Sequence, residues 1–134
     1  MNTFTTKSWE ENVVSGGKDD PVEPRYAHAH AVMTYSGLIE GESSCDYLLY
    51  YTGPGYDGAG HRAPGFERIE GAVDGRKGSF VLRHEVGFDS NGINGTFTVV
   101  DGSGTGELTG LRGTGTIAGE TGQPAMRYTF EYSL

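Results

Sequence analysis

The chain is poor in several things, and each shortage removes a class of protein. It has one cysteine in 134 residues, Cys45, so no intramolecular disulfide can staple it, and a reducing compartment is the expected setting. Basic residues number ten against eighteen acidic ones, a formal net charge of −8, and no basic cluster with interleaved aromatics offsets that balance. Such a surface repels phosphate backbones and anionic membranes, so neither nucleic acid nor membrane is an expected partner. No apolar run approaches the ~20 residues that span a bilayer as a helix. The start, MNTFTTKSWEENVV, lacks the basic segment and apolar core of a secretion signal. The expectation is a soluble, cytoplasmic protein.

Glycine is abundant instead, with 23 residues against a usual share of ~7%, and it recurs near turns while aromatic and β-branched residues fill the runs between. At this length the chain reads as one domain over residues 1–134, large enough to bury about two-thirds of its unfolded surface. The most informative stretch is Phe66–Val99, which carries Asp74-Gly75 and Asn91-Gly92, dipeptides that tolerate the positive φ of tight hairpin turns. Three antiparallel strands follow, and strand alternation sorts their residues by face. One face collects Glu67, Ile69, Gly71, Val73, Phe80, Leu82, His84, Phe97 and Val99, and is the apolar, buried one. The other collects Arg68, Glu70, Ser79, Arg83, Glu85, Thr96 and Thr98.

Elsewhere, Phe4–Trp9 reads as a first strand, followed by a loop over ENVVSGGKDDPVEP that is either a lid or a passive connection. Tyr26–Ser36 and Asp46–Thr52 read as strands joined by a turn near Gly41–Ser44. That phasing puts Ala29, Ala31, Met33, Tyr35, Ile39, Leu48 and Tyr50 inside, and His28, His30, Cys45, Tyr47, Leu49 and Tyr51 outside. The outer set is apolar enough for a subunit contact. Gly53–Gly65 reads as a long loop in which His61 and Arg62 either meet a ligand or are solvated. A seventh strand near Gly113–Ala118 and an eighth over MRYTFEYSL, with Met126, Tyr128, Phe130 and Tyr132 inward, complete the count. The fold class is all-β, an eight-stranded antiparallel barrel with little helix, whose interior is either filled or holds one small ligand.

Several motifs carry little weight. His28-x-His30 has the spacing of a cupin metal strand, but no carboxylate follows four or five residues on, and both imidazoles fall on the outer face. GSGTGELTG and GLRGTG lack the Gly-Lys-Ser/Thr and the helix of a phosphate loop. There is no nucleophile elbow, and Cys45 lacks an electropositive setting. No metal and no cofactor are expected.

Glu67 and His84 stand out as ionisable residues on an otherwise apolar face, directly opposite each other if the first turn is a four-residue loop. They are either a structural ion pair or an acid/base pair. In the second case burial favours the neutral carboxyl, the imidazole opposes this, and one group can move a proton near neutral pH. Candidate ligand contacts are Tyr35, Tyr50, Phe80, Leu82, Phe97, Val99, Tyr128 and Phe130. The same tyrosines also serve as plain core residues.

The segments KSWEE, YSGLIEGES, ERIEGAVDGRKGSFVLRHEVGFD and GSGTGELTGLRGTG together resemble an uncharacterised bacterial family of small barrels related in fold to plant allene oxide cyclases and dirigent proteins. The resemblance implies an eight-stranded barrel. It also implies a site that confines a reactive apolar molecule and orients it without a cofactor, as cyclases and dirigent proteins do. Three functions stay open: a cofactor-independent isomerase or cyclase, a carrier or sensor of a small apolar ligand, and an oligomeric barrel with a filled interior.

Overall fold

A computed structural model describes residues 2–15, 25–51, 61–89, 92–120 and 122–134. Eight antiparallel strands, β1 (Thr3–Ser15), β2 (Arg25–Ser36), β3 (Ile39–Tyr51), β4 (His61–Val73), β5 (Arg76–Asp89), β6 (Gly92–Val99), β7 (Arg112–Glu120) and β8 (Ala125–Ser133), close in sequence order into a barrel. A 3-10 turn, Gly106–Leu108, is the helical element among the described residues. No helix there is long and apolar enough to cross a membrane.

The Asp74-Gly75 turn forms as expected, with φ of 50° and 82°, and pairs Val73 with Arg76. This two-residue turn sets Glu67 opposite Leu82 and places Gly65 opposite His84. The acid and the imidazole are therefore diagonal neighbours on the inner face rather than directly opposed. Ile69, Val73, Phe80, Leu82, Phe97 and Val99 are buried beside them, which is the face that alternation assigns.

Three sequence expectations are corrected. Chain reversal between β2 and β3 occurs at Gly37-Leu38, not near Gly41–Ser44; Gly37 takes a φ of 103°, and β3 starts at Ile39. With no turn inside that segment, alternation runs on unbroken from Ile39. Cys45, Tyr47 and Leu49 point inward, while Leu48 is half exposed and Tyr50 lies on the outward side. The presumed loop after Trp9 begins later, because β1 continues through Ser15; residues 16–24, where a lid was considered, lie outside the described residues. The presumed loop before Phe66 ends earlier, because β4 already starts at His61. Residues 52–60 and the His61 and Arg62 side chains lie outside the described residues, as do 90–91 at the second expected turn.

A bulge at Lys7 shifts the β1–β2 register between Thr6 and Ser8. Before it, Phe4 and Thr6 pair with the inward Tyr35 and Met33; after it, Trp9 and Glu11 pair with the inward Ala31 and Ala29. The extra residue thus keeps both halves of β1 facing the lumen, which a strict period of two would forbid.

The barrel has two unlike ends. Where β2–β3, β4–β5 and β6–β7 connect, the interior is filled. Ile39, Ile69, Val73, Phe80 and Leu82 are fully buried, and the β6–β7 connection folds in so that Leu108 and Leu111 are buried too. Thr105 holds that connection by bonding the Ser79 hydroxyl at 2.7 Å and accepting from its N–H at 3.0 Å, which is why outward-facing Ser79 is buried. The Tyr128 hydroxyl fastens the β2–β3 turn, accepting from Ile39 N at 2.8 Å and donating to Ser36 O at 3.0 Å. At the other end β8 pairs with β1 only through Ala125–Arg127 and Thr3–Thr5, although β1 runs ten residues further.

Candidate functional site

The open end contains a cavity of about 420 Å³. Its walls come from the far half of β1 (Trp9, Glu11), from β2 and β3 (Met33, Tyr47), and from β7 and the β8 start (Ile117, Met126). Most of that surface is apolar or aromatic, and the volume lies within the ~300–1,000 Å³ typical of small-molecule sites. Local sequence accounts for the space. Ala63 on β4 lines the cavity, where a methyl group leaves room, while Ala27, Ala29 and Ala31 point inward on β2 and are fully buried. Trp9 lies across that alanine strip and stacks on Tyr47, ring centroids 6.0 Å apart. Its indole N–H donates to Glu11 at 3.2 Å.

Beneath the cavity lies a polar cluster inside the apolar wall. The Glu67 carboxylate, 1% exposed, accepts from the Tyr35 hydroxyl at 2.8 and 2.9 Å, from the Ser43 hydroxyl, and shares a 2.7 Å bond with His84 Nε2. Register explains the convergence: Cys45 on β3 pairs directly with Glu67 on β4, and Ser43 on β3 and His84 on β5 are its diagonal neighbours. Gly65, opposite His84, is needed there, because a Cβ would come within 2.9 Å of the Tyr47 ring and 2.2 Å of Asp46 O. The missing side chain lets Tyr47 set its edge against His84, centroids 5.7 Å apart.

Burial and the neighbouring Glu67 hold the Tyr35 hydroxyl well above the usual phenol range, so it stays a donor. Burial likewise pushes the Cys45 thiol up, with Glu67 adding to it, so Cys45 is not an activated nucleophile. Tyr47 is raised by burial first and by Cys45 and Glu67 after that. The chemistry left to the cluster is one carboxylate held by three side-chain donors, with a short bond along which a proton can pass to or from an imidazole.

Relative to this geometry the expected site residues divide. Glu67, His84 and Tyr35 come together. Phe97 tilts against His84 at 6.0 Å and against Phe130 at 5.7 Å. Phe80, Leu82, Val99 and Tyr128 belong to the filled end, and Tyr50 is on the outward side. Glu67 and His84 themselves do not line the cavity. Phe4, Met33 and Tyr47 do, and Phe4 stacks on Tyr35 at 5.0 Å, so the cluster sits behind the cavity floor. Sequence reasoning missed Trp9, Glu11 and Tyr47. A bulge hides the first two and the displaced turn hides the third; the strip Ala27, Ala29, Ala31 opposite an aromatic strand is the signal that could have found them.

On the outer face, where alternation placed them, His28 Nε2 and His30 Nδ1 lie 3.0 and 2.9 Å from the same Asp46 oxygen. Hydrogen bonds from His30 first, then His28, hold that carboxyl below its usual range.

Comparison with known proteins gives a consistent picture. The profile of a family described as "Protein of unknown function (DUF3224)" matches residues 1–132. A crystal structure of a protein of unknown function from the DUF3224 family of Shewanella oneidensis MR-1 is 26% identical, superimposes with a TM-score of 0.70, and covers 100% of this chain and 98% of its own. Comparison with curated proteins gives no match.

Proposed function

The chain belongs to the DUF3224 family, and we propose that this member binds a small, largely apolar molecule in the open end of its barrel. The observation that carries the reading is the cavity of about 420 Å³, walled among the described residues by Trp9, Met33, Tyr47, Ile117 and Met126. An apolar guest gains from leaving water at roughly 25 cal/mol per Å² of buried surface, and a preformed cavity spares the protein the cost of opening space. Glu11 and the Trp9 indole are polar groups at the rim that can orient such a guest.

A second reading adds chemistry: an isomerisation or cyclisation without a cofactor, in which Glu67 and His84 exchange a proton with the guest. The specific support is that His84 Nδ1, though buried, has no hydrogen-bond partner among the described residues. A buried nitrogen without a partner is costly, and a proton donor or acceptor from a guest would satisfy it. For this role Tyr47 must swing aside, because its ring stands between His84 and the cavity.

The test uses Trp9, the protein's one tryptophan, as reporter. Titration with the neutral probe N-phenyl-1-naphthylamine is expected to quench Trp9 emission saturably at one probe per chain, and Ala63→Leu, which fills the cavity, to weaken binding at least about tenfold. Unsaturable quenching, or equal affinity in the filled variant, overturns the binding reading. For the second reading, a molecule recovered from the barrel must be turned over by the native protein and not by Glu67→Gln; equal turnover overturns it.

A further inference from the structure

Cys45, Glu67 and His84 have a relation that neither reading above uses. Each offers one ligand atom, a thiol sulfur, a carboxylate oxygen and an imidazole nitrogen, and these atoms all lie within 4.8 Å of one another. The three residues come from adjacent strands β3, β4 and β5, with Cys45 and Glu67 directly paired across β3 and β4. All are at most 1% exposed.

We propose that these three side chains form a binding site for a divalent, borderline-soft transition-metal cation of the zinc class. Donor chemistry selects the ion. A thiolate and an imidazole favour zinc and its neighbours over calcium or magnesium, which take all-oxygen shells, and ligand bonds of about 2.0–2.3 Å suit atoms this closely gathered. Three protein ligands rather than four leave a tetrahedral ion one position for water or an incoming molecule.

Two independent features point the same way. The first is the pre-set juxtaposition of donors, with His84 Nε2 already 2.7 Å from a Glu67 oxygen and Cys45 on the strand position paired with Glu67. The second is the support around the ligands. Tyr35 and Ser43 already hold Glu67 by its two oxygens, the outer-shell orientation that metal-binding carboxylates receive. On binding, Cys45 gives its proton to solvent, Glu67 supplies an oxygen and His84 a nitrogen lone pair. No electron is transferred, and the ion's two positive charges meet the charges of the thiolate and the carboxylate.

Cobalt(II) is the probe, because a thiolate ligand produces a near-ultraviolet sulfur-to-cobalt charge-transfer band. Cys45 is the protein's one cysteine, so that band in the native chain assigns the ligand without any variant. The expected result has four parts. One equivalent of cobalt binds with the band present and is displaced by one equivalent of zinc. Cys45→Ser, close in shape and confirmed folded by circular dichroism, loses the band. His84→Gln lowers affinity by more than the roughly 10–100-fold that loss of a merely supporting group costs. A double variant His28→Ala, His30→Ala keeps both band and stoichiometry. The proposal is overturned if no stoichiometric cobalt binds, if it binds without the band, if Cys45→Ser keeps the band, or if binding disappears with His28 and His30. The proposal does not require an apolar guest, so naphthylamine binding and cobalt binding succeed or fail separately.

Discussion

The two ends of this barrel are built from the same strands and differ in what their inward positions carry. At the packed end Ile39, Ile69, Phe80, Leu82 and Val99 are buried in the core together with Leu108 and Leu111 of the β6–β7 connection. At the open end the corresponding positions of β2 are Ala27, Ala29 and Ala31, and β1 leaves β8 after Thr5. One end stores stability and the other holds space. The Glu67 cluster lies at the boundary, where a buried carboxylate can be held by a rigid wall and still lie one side chain from the cavity.

The sharpest way to break the comparison is to empty the packed end. Phe80→Ala is expected to cost about 3–5 kcal/mol in urea denaturation, because the lost burial and the remaining cavity add. A value near 1 kcal/mol would mean the packed end is not the source of stability. Removing the carboxylate at the boundary has a comparable effect. Glu67→Ala strands Tyr35, Ser43 and His84 without their acceptor and should cost about 3–5 kcal/mol, whereas Glu67→Gln, which keeps an acceptor oxygen, should cost clearly less. Denaturation curves of the two variants side by side measure that difference.

Filling the open end should do the reverse. Ala63→Leu is expected to leave stability within about 1 kcal/mol of the native chain while it reduces probe binding, since the added atoms enter space rather than displace packed neighbours. The smallest effect belongs to the rim. Arg127 donates to Glu120 at 2.6 and 2.8 Å and holds its carboxyl below the usual range, but both side chains are exposed. With the folded value depressed, the pair's contribution is present above the ordinary glutamate value near 4.3 and is lost as pH falls through the folded value. Arg127→Ala should therefore lower the melting temperature barely at pH 7 and not at all at pH 2, and salt should erase the difference.

How much of this was legible in the sequence depended on local turn chemistry. Asp74-Gly75 reads unambiguously because few dipeptides take positive φ twice, and once that turn is placed, the inward positions of β4 and β5 follow. Glu67 and His84 were therefore visible as residues on one buried face, while the length of the loop, and with it whether the two are opposed or diagonal, stayed open until Val73 was seen to pair with Arg76. The β2–β3 turn was misplaced because GLIEGESS offers two glycines, and the true reversal uses Gly37 while Gly41 sits inside β3 opposite Gly71. That error moved Tyr47 outside and Tyr50 inside. The bulge at Lys7 has no sequence mark, so Trp9 and Glu11 were not recognised as lining residues. The cavity itself was not legible, since whether a row of alanines makes a hole or is filled from across the lumen depends on contacts between strands distant in sequence.

The contrast between the two ends is tested most directly by a crystal structure under xenon pressure, since xenon enters apolar cavities and is visible at partial occupancy. The account predicts xenon at the open end, among Trp9, Met33, Tyr47 and Ile117, and none among Ile69, Phe80, Leu82 and Leu108. Xenon at the packed end, or an open end that takes none, would contradict it.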